Sequence, residues 1–285
     1  MSLPPSSDPD SLQMKTPLTL VVATTPITRP PGSSKKPILG IGLNGTLPWP
    51  RIKSDMNFFA RVTSRPPSSG DGSGSGNGKE KINAIIMGRK TYYSLPKGLR
   101  PLKDRLNVII SRDEHGTVST EIHQDLTRQK EKSRTDGKED KRDAFVAHSF
   151  DSALTQLFDK HRRQDLGYVY VIGGGEIYKS SLELEVSLSS KIVQRILMTR
   201  IKRRDGEKYE CDTFFPLTDE DLSTSTGGEK GWRRVGVEEV EGWVGESVKE
   251  DWTEEGEVAF KIEGYADIYI LFDASKQNAM ARMRT

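Results

Sequence analysis

Apolar residues in this chain gather into short runs separated by polar stretches. Six runs have the length and β-branched content of strands: LTLVVAT (18–24), KINAIIMG (81–88), LNVIIS (106–111), AFVAH (144–148), YVYVIGG (168–174) and RILMTRI (195–201). The early ones are apolar at successive positions, as strands buried on both faces are. Helix-like segments stand between them: IKSDMNFFARV (52–62), RKTYYSL (89–95), FDSALTQLFDKH (150–161) and EIYKSSL (176–182). This alternation predicts a single α/β domain with a mostly parallel twisted sheet and helices on both faces. Two late runs, WRRVGVEEV (232–240) and EVAFKIEGYADI (257–268), alternate more strictly and show no helix between them. They predict an antiparallel hairpin at the sheet edge. Ligands in such sheets bind beyond the carboxyl ends of the strands.

Three stretches break the pattern: RPPGSSKKP (29–37), SRPPSSGDGSGSGNGKE (64–80) and LTRQKEKSRTDGKEDKRD (126–143). They read as polar insertions, too poor in apolar residues to offset the entropy of ordering, and are expected to be mobile. Residues 1–17 and 269–285 read as tails around a domain spanning 18–268.

Composition then narrows the function classes. Lys+Arg 43 against Asp+Glu 41 leaves a formal charge of +2, which argues against a nucleic-acid binder. No apolar run reaches the ~20 residues of a membrane span. A single cysteine, Cys211, forbids an internal disulfide, and with four scattered histidines it makes a metal site unexpected. The N-terminus shows neither a signal nor a transit pattern, so a cytoplasmic protein is expected.

Four constellations carry chemistry. Gly40-Ile-Gly-Leu-Asn-Gly45 matches a dinucleotide-binding pattern literally, but Thr46-Leu-Pro-Trp-Pro50 follows it where a helix should open. A mobile glycine-rich loop braced by Pro48 and Pro50 fits better. Asp55 shares a helix face with Ile52, Met56, Phe59 and Val62. It is either an acid meeting the helix dipole or a pocket carboxylate of raised pKa that grips a cationic or amidine-like ligand. The run Tyr168–Tyr178 leads a buried strand through three glycines into a helix, suiting either a phosphate at the helix N-terminus or a tight structural turn. Finally, Met87-Gly-Arg-Lys-Thr91 and Ile110-Ser-Arg112 each put arginine just after a buried strand. Singly these are surface charges as readily as ligands. Together with the glycine triplet, they converge on one polyanion, a dinucleotide with an extra phosphate.

In order along the chain, LVVA (20–23), GIGLNGTLPWP (40–50), SDMNFF (54–59), IIMGRKTYYSLP (85–96), RPLKDRLNVIISR (100–112), VIGGGEIY (171–178), LMTRI (197–201) and CDTFFP (211–216) resemble the dihydrofolate reductase family. The resemblance covers about 18–268, and the insertions look most like those of fungal members. It implies a cytoplasmic monomer that reduces 7,8-dihydrofolate to 5,6,7,8-tetrahydrofolate with NADPH. Hydride would pass from nicotinamide C4 to pterin C6 with N5 protonated, and antifolates such as methotrexate would inhibit. It further implies a catalytic group of Asp55, Thr199, Leu47 and Trp49. Asp55 would bind the pterin 2-amino group and N3, backed by Thr199. Many eukaryotic members carry glutamate at position 55 and phenylalanine at position 56, so Asp55 and Met56 are departures. Leu47, Met56, Phe59 and Leu102 would line the pterin and aminobenzoyl pocket, and Arg105 would pair with the folate α-carboxylate. Val22, Ala23 and Ile172 would contact the pteridine, with Tyr178 near the nicotinamide.

On the cofactor side the resemblance assigns Arg89, Lys90, Thr91, Ser111 and Arg112 to the adenosine phosphates, and His148 to the ribose phosphate. Gly174, Gly175, Glu176 and Ile177 would form the diphosphate turn, with a cis peptide joining Gly173 to Gly174. Ala23, Ile41, Gly45, Thr46, Gly88, Ile172 and Tyr178 also fall on the cofactor side, and Gly42 and Leu43 in the closing loop. Two other readings stay open. A same-fold reductase of a riboflavin-precursor pyrimidine would share the glycine turn, but not the LPW–acid segment with Arg105. A non-catalytic folate- or nucleotide-binding module would have little need of Asp55, Thr199 and Arg105 together.

Overall fold

The computed structural model describes residues 16–27, 38–67, 81–137, 139–160, 165–184, 192–223 and 231–267. Its central strand is β1 (Thr16–Ile27), parallel to β6 (Leu166–Val171) on one side and to β7 (Ile192–Arg203) on the other. Beyond β6 lie β3 (Ile82–Gly88), β4 (Arg105–Ile110) and β5 (Asp143–Ala147), all parallel. Beyond β7 the sheet turns antiparallel through β11 (Val258–Asp267), which pairs with β10 (Thr253–Glu255) and β9 (Trp232–Arg234).

The continuous apolar runs follow from two buried faces. Leu18, Leu20, Ala84, Ile86, Val108 and Val169 point to a core that includes Ala153, Leu154 and Leu157 of α4 (Phe150–Lys160) and Tyr178 of α5 (Gly175–Leu182). Their alternates Ile85, Met87, Ile109 and Tyr170 meet Phe58 and Val62 of α1 (Lys53–Ser64) and Tyr92 of α2 (Arg89–Ser94).

Several expectations are corrected. Residues 126–143 are not an unpatterned insertion. Residues 126–135 are the second half of α3 (Thr117–Thr135), whose inward face carries Asp125, Gln129 and Ser133 beside Val118, Ile122 and Leu126. Asp125 is buried because it is paired. It accepts from Arg100 Nε at 3.0 Å, Arg128 Nη2 at 2.6 Å and Tyr92 Oη at 3.1 Å. Asp140 and Arg142 form a second buried pair at 2.7 Å. A short helix, α6 (Asp219–Ser223), precedes the late elements. The late run 232–240 divides into β9, which pairs antiparallel with β11 as expected, and α7 (Val237–Val244); β10 is a second antiparallel partner of β11, joined to it by a tight turn. Val237, Val240 and Val244 repeat at helical spacing, which outweighs the brief alternation before them. Thr16 and Pro17, expected in the N-terminal tail, already belong to β1. The remaining tail residues, the 29–37 segment and residues 68–80 lie outside the described residues.

The expected mobile loop is also corrected. Ile38–Gly42 is β2, antiparallel to the end of β1 and to β8 (Thr213–Phe214). Gly40 is required there by packing, since an added Cβ would collide with Cys211 Sγ and sit 2.8 Å from Cys211 Cβ. Asn44 and Gly45 then take φ of 51° and 75°, closing a tight turn in which Leu43 and Thr46 exchange backbone bonds of 2.9 and 3.0 Å. Gly40→Ala is expected to cost about 1–3 kcal/mol by overpacking. That corresponds to a Tm lower by roughly 2–10 °C in thermal denaturation.

Candidate active site

Trp49 and Ile52 pin the segment before α1 by burying against Ile201, Tyr209, Val258 and Phe260. With those two side chains inward, the first turn of α1 lifts Asp55 and Met56 over a cleft of about 420 Å³. Leu47, Trp49, Arg51, Ile52, Asp55, Met56, Pro96 and Leu99 line it. Four large hydrophobic side chains are exposed among the described residues, and Leu47, Met56 and Leu99 are three of them. Greasy residues left in water around one recessed carboxylate mark a place for a flat apolar ligand with a polar edge.

Asp55 sits in that cleft against Thr199 of β7, whose Oγ1 donates to Asp55 Oδ1 at 2.7 Å. Burial holds the Asp55 carboxyl above the ordinary aspartate range; the Thr199 bond opposes the shift and the charge of Glu255 adds to it. Asp55 stands in the first turn of α1, where an acid meets the helix dipole, and it also faces a pocket. Thr199 occupies Asp55 Oδ1, and among the described residues Oδ2 has no hydrogen-bond donor and can accept from a ligand.

Arg105, the first residue of β4, lies beside the other end of that helix. Its Nη1 donates to Thr63 Oγ1 at 2.6 Å and its Nε to the Lys103 carbonyl at 2.8 Å. It is buried, and among the described residues no carboxylate comes within ion-pair distance. Burial, reinforced by Arg142, lowers its pKa to about 10 against the pull of Asp104. A buried guanidinium without a counter-charge invites an anion. Asp55 and Thr63 are eight positions apart, about 12 Å along the helix axis at 1.5 Å per residue. A ligand that used both ends would therefore be elongated, with a donor-bearing heterocycle at one end and a carboxylate at the other. Phe59 is half-buried midway along α1, and Leu102 is buried, its backbone held by the side chain of Asn107.

The second half of the site runs along the carboxyl ends of β6, β3, β4 and β5. The Gly88 amide donates to the Gly173 carbonyl at 2.7 Å, and the Gly173–Gly174 peptide is cis. A Cβ on Gly173, at φ 109°, would lie 3.1 Å from the Tyr178 ring, so the turn tolerates no side chain there. Helix α5 opens at Gly174–Gly175 without a side-chain cap; the Ile177 and Tyr178 amides donate to the Gly174 carbonyl, which leaves those of Gly175 and Glu176 for a ligand. Thr91 lies beside Gly174, and Ile177 beside Gly88, so α2 and α5 start side by side. Ser111 is buried just past β4, while Arg89, Lys90, Arg112 and His148 are exposed and Glu176 faces outward. None of those four basic residues forms an ion pair among the described residues. Three strand-to-strand steps of about 4.8 Å place these groups along roughly 14 Å of one edge.

Not every expected residue meets in one place. Val22 and Ala23 lie in the middle of β1, opposite Met198 and Thr199 of β7, Ile172 follows the last residue of β6, and Tyr178 is buried with its Oη donating to the Val21 carbonyl at 2.6 Å. Those four, with Phe59, Leu102 and Arg105, are not among the cleft-lining residues around Asp55. Ile41 and Gly42 are in β2, and Leu43, Gly45 and Thr46 in the turn after it. Sequence reasoning missed Arg51, Pro96 and Leu99 in the cleft wall, Thr63 behind Arg105, and the core role of Phe58. The period from Phe58 to Val62 carried a signal for the last; the others depend on contacts far apart in the chain.

A family profile described as "Dihydrofolate reductase" matches residues 79–141. A Cryptococcus neoformans protein named dihydrofolate reductase is 32% identical over 237 residues, covering 76% of this chain and 85% of that one. A Mus musculus protein of the same name is 32% identical over 182 residues, 64% of this chain and 74% of its own. A Schizosaccharomyces pombe protein so named is 34% identical over 261 residues; it covers 88% of this chain, which spans only 47% of that relative. Among solved structures, that of Schistosoma mansoni dihydrofolate reductase superposes with a TM-score of 0.54 at 24% identity, over 89% of this chain and 99% of that one.

Proposed function

This chain belongs to the dihydrofolate reductase family, and from that premise we propose that it reduces 7,8-dihydrofolate to 5,6,7,8-tetrahydrofolate with NADPH. The single observation that carries the proposal is the recessed Asp55–Thr199 pair at one end of α1, with Arg105, which has no carboxylate partner among the described residues, held by Thr63 at the other. The pterin 2-amino group and N3 are donors for Asp55, and the glutamyl α-carboxylate is the anion for Arg105. A same-fold pyrimidine reductase would have no use for Arg105 in that position, and a non-catalytic module none for a carboxyl of raised proton affinity.

NADPH, when bound, supplies the hydride that reduces pterin C6. The residues along the second edge suit it: exposed Arg89, Lys90 and Arg112 form no ion pair among the described residues, and the open start of α5 offers amides to a diphosphate. Thr91, Ser111 and His148 would add hydroxyl and imidazole contacts along the same line. This chain's residues align and protect. Asp55 fixes the pterin edge and, with its raised proton affinity, favours a proton at N5. Thr199 orients Asp55. Leu47, Trp49 and Met56 exclude water from the ring face.

No helix among the described residues is long and apolar enough to cross a membrane. The proposed working state is a cytoplasmic monomer inhibited by methotrexate. The test follows absorbance loss of NADPH with and without dihydrofolate, with methotrexate as control. Substrate-dependent, methotrexate-sensitive oxidation is expected, and its absence would overturn the proposal. NADPH should be preferred to NADH in kcat/KM, and Arg112→Ala should narrow that preference by roughly 10–100-fold, the worth of one charged hydrogen bond. Equal use of both cofactors by the unmodified protein would remove the phosphate role from Arg89 and Arg112.

A further inference from the structure

Helix α1 has an unusual beginning. Its N-cap residue is Ile52, extended at φ −96° and ψ 104°, with no side chain to accept from the first-turn amides. The acceptor comes from 202 residues away: Glu255 Oε1 takes the Lys53 amide at 2.6 Å. Glu255 Oε2 takes the Ser54 amide at 3.2 Å, and the Ser54 hydroxyl donates to the same oxygen. Glu255 ends β10, and β11 returns from that hairpin to pair with β7, Ile262 lying opposite Thr199. Val258 and Phe260 of the hairpin also pack on Trp49 and Ile52. One hairpin therefore holds both members of the Asp55–Thr199 pair.

We propose that Glu255 is a positioning residue for the reaction: by capping α1 from the β10–β11 hairpin, it sets Asp55 against Thr199. The inference rests on the reading of Asp55 as the partner of the pterin. Its second consequence is electrostatic. The groups facing Asp55 are the Thr199 hydroxyl from β7, Arg51 at the cleft wall and Glu255 from the hairpin; the other cleft-lining side chains carry no charge. Glu255, itself beside Lys53, contributes to the raised proton affinity of Asp55. Position and charge can be separated, because glutamine keeps an acceptor oxygen while alanine keeps neither.

The experiment compares the full chain with Glu255→Gln and Glu255→Ala. In Glu255→Ala, kcat/KM for dihydrofolate should fall about tenfold or more, as expected for a reacting group displaced by a fraction of an ångström. Glu255→Gln should stay within about threefold, since the helix start remains capped. NADPH affinity should be the same in all three. In both variants the Asp55 carboxyl, followed by carbon NMR in the cofactor-free protein, should titrate at lower pH than in the unmodified chain. Unchanged kcat/KM in Glu255→Ala together with an unmoved titration, even with a lower Tm, would overturn the proposal by making the cap merely structural. Should Glu255→Ala not fold, an unmoved titration in Glu255→Gln overturns it alone. If the unmodified chain failed to reduce dihydrofolate, the proposed function would fall, whereas the titration would still report the coupling of Glu255 to Asp55.

Discussion

Asp55→Asn is expected to lower kcat for dihydrofolate by roughly 10²–10³-fold at neutral pH, the usual worth of a positioned proton-transfer group. The amide can keep the Thr199 bond through its oxygen, so geometry survives. It can neither carry negative charge toward the pterin 2-amino group and N3 nor raise the proton occupancy of N5. Stopped-flow measurement of hydride transfer separates this loss from product release. The same substitution should stabilise the ligand-free protein. Burial raises the Asp55 pKa above 3.8, so ionised Asp55 costs the native state free energy at neutral pH. Below the unfolded value both states hold the proton and the cost vanishes. A higher Tm for Asp55→Asn at pH 7, shrinking as pH falls from the raised native value of Asp55 down to the ordinary aspartate value, is the expected result; a lower Tm at pH 7 would contradict the burial argument. Activity and stability thus pull apart at this residue.

Arg105→Met is expected to raise KM for dihydrofolate by about 10²-fold with kcat changed only a few-fold. The carboxylate it would bind is remote from C6, so its contact is the same in ground and transition states, and uniform binding appears in KM. Two charge-assisted bonds in a buried site are worth about 3 kcal/mol, which sets the magnitude. Arg105→Lys should fall between, because an ammonium keeps the charge without the fork. With Arg105 lowered to about 10, the guanidinium is cationic at neutral pH and substrate affinity should weaken only as pH rises toward 10. Steady-state KM between pH 7 and 10 checks both statements. An unchanged KM in Arg105→Met would move the anion elsewhere.

How much of this could be read from residue order depends on which interactions are local. The parallel strands were legible because burial on both faces leaves unbroken apolar runs such as Ala84–Met87. Asp55 was legible because a carboxylate on an apolar helix stripe is an anomaly wherever it occurs. The stripe is only partly as expected: Ile52 and Val62 are buried, but Phe58 joins the core ahead of half-buried Phe59, while Asp55 and Met56 turn to the cleft, because α1 separates the two. Helix α3 was hidden since its inward face uses Asp125, Gln129 and Ser133, whose burial is satisfied by Arg100, Tyr92 and Asp140 from other elements. Strand β2 was hidden because glycine contributes nothing to an apolar pattern, and Gly40 is explained only by Cys211. Thr63 and Glu255 are ordinary polar residues until the fold sets them beside Arg105 and Ser54.

Asp55 is carried by the stiff helix α1, and Arg105 of β4 is tied to the far end of the same helix through Thr63, which has a consequence for selectivity. A rod fixes the gap between its two grips, so the site gauges ligands by length as well as by chemistry. Compounds that match the heterocycle but stop short of the far grip forgo that hold entirely, and those with a stretched or shortened spacer can satisfy one grip only at the expense of the other.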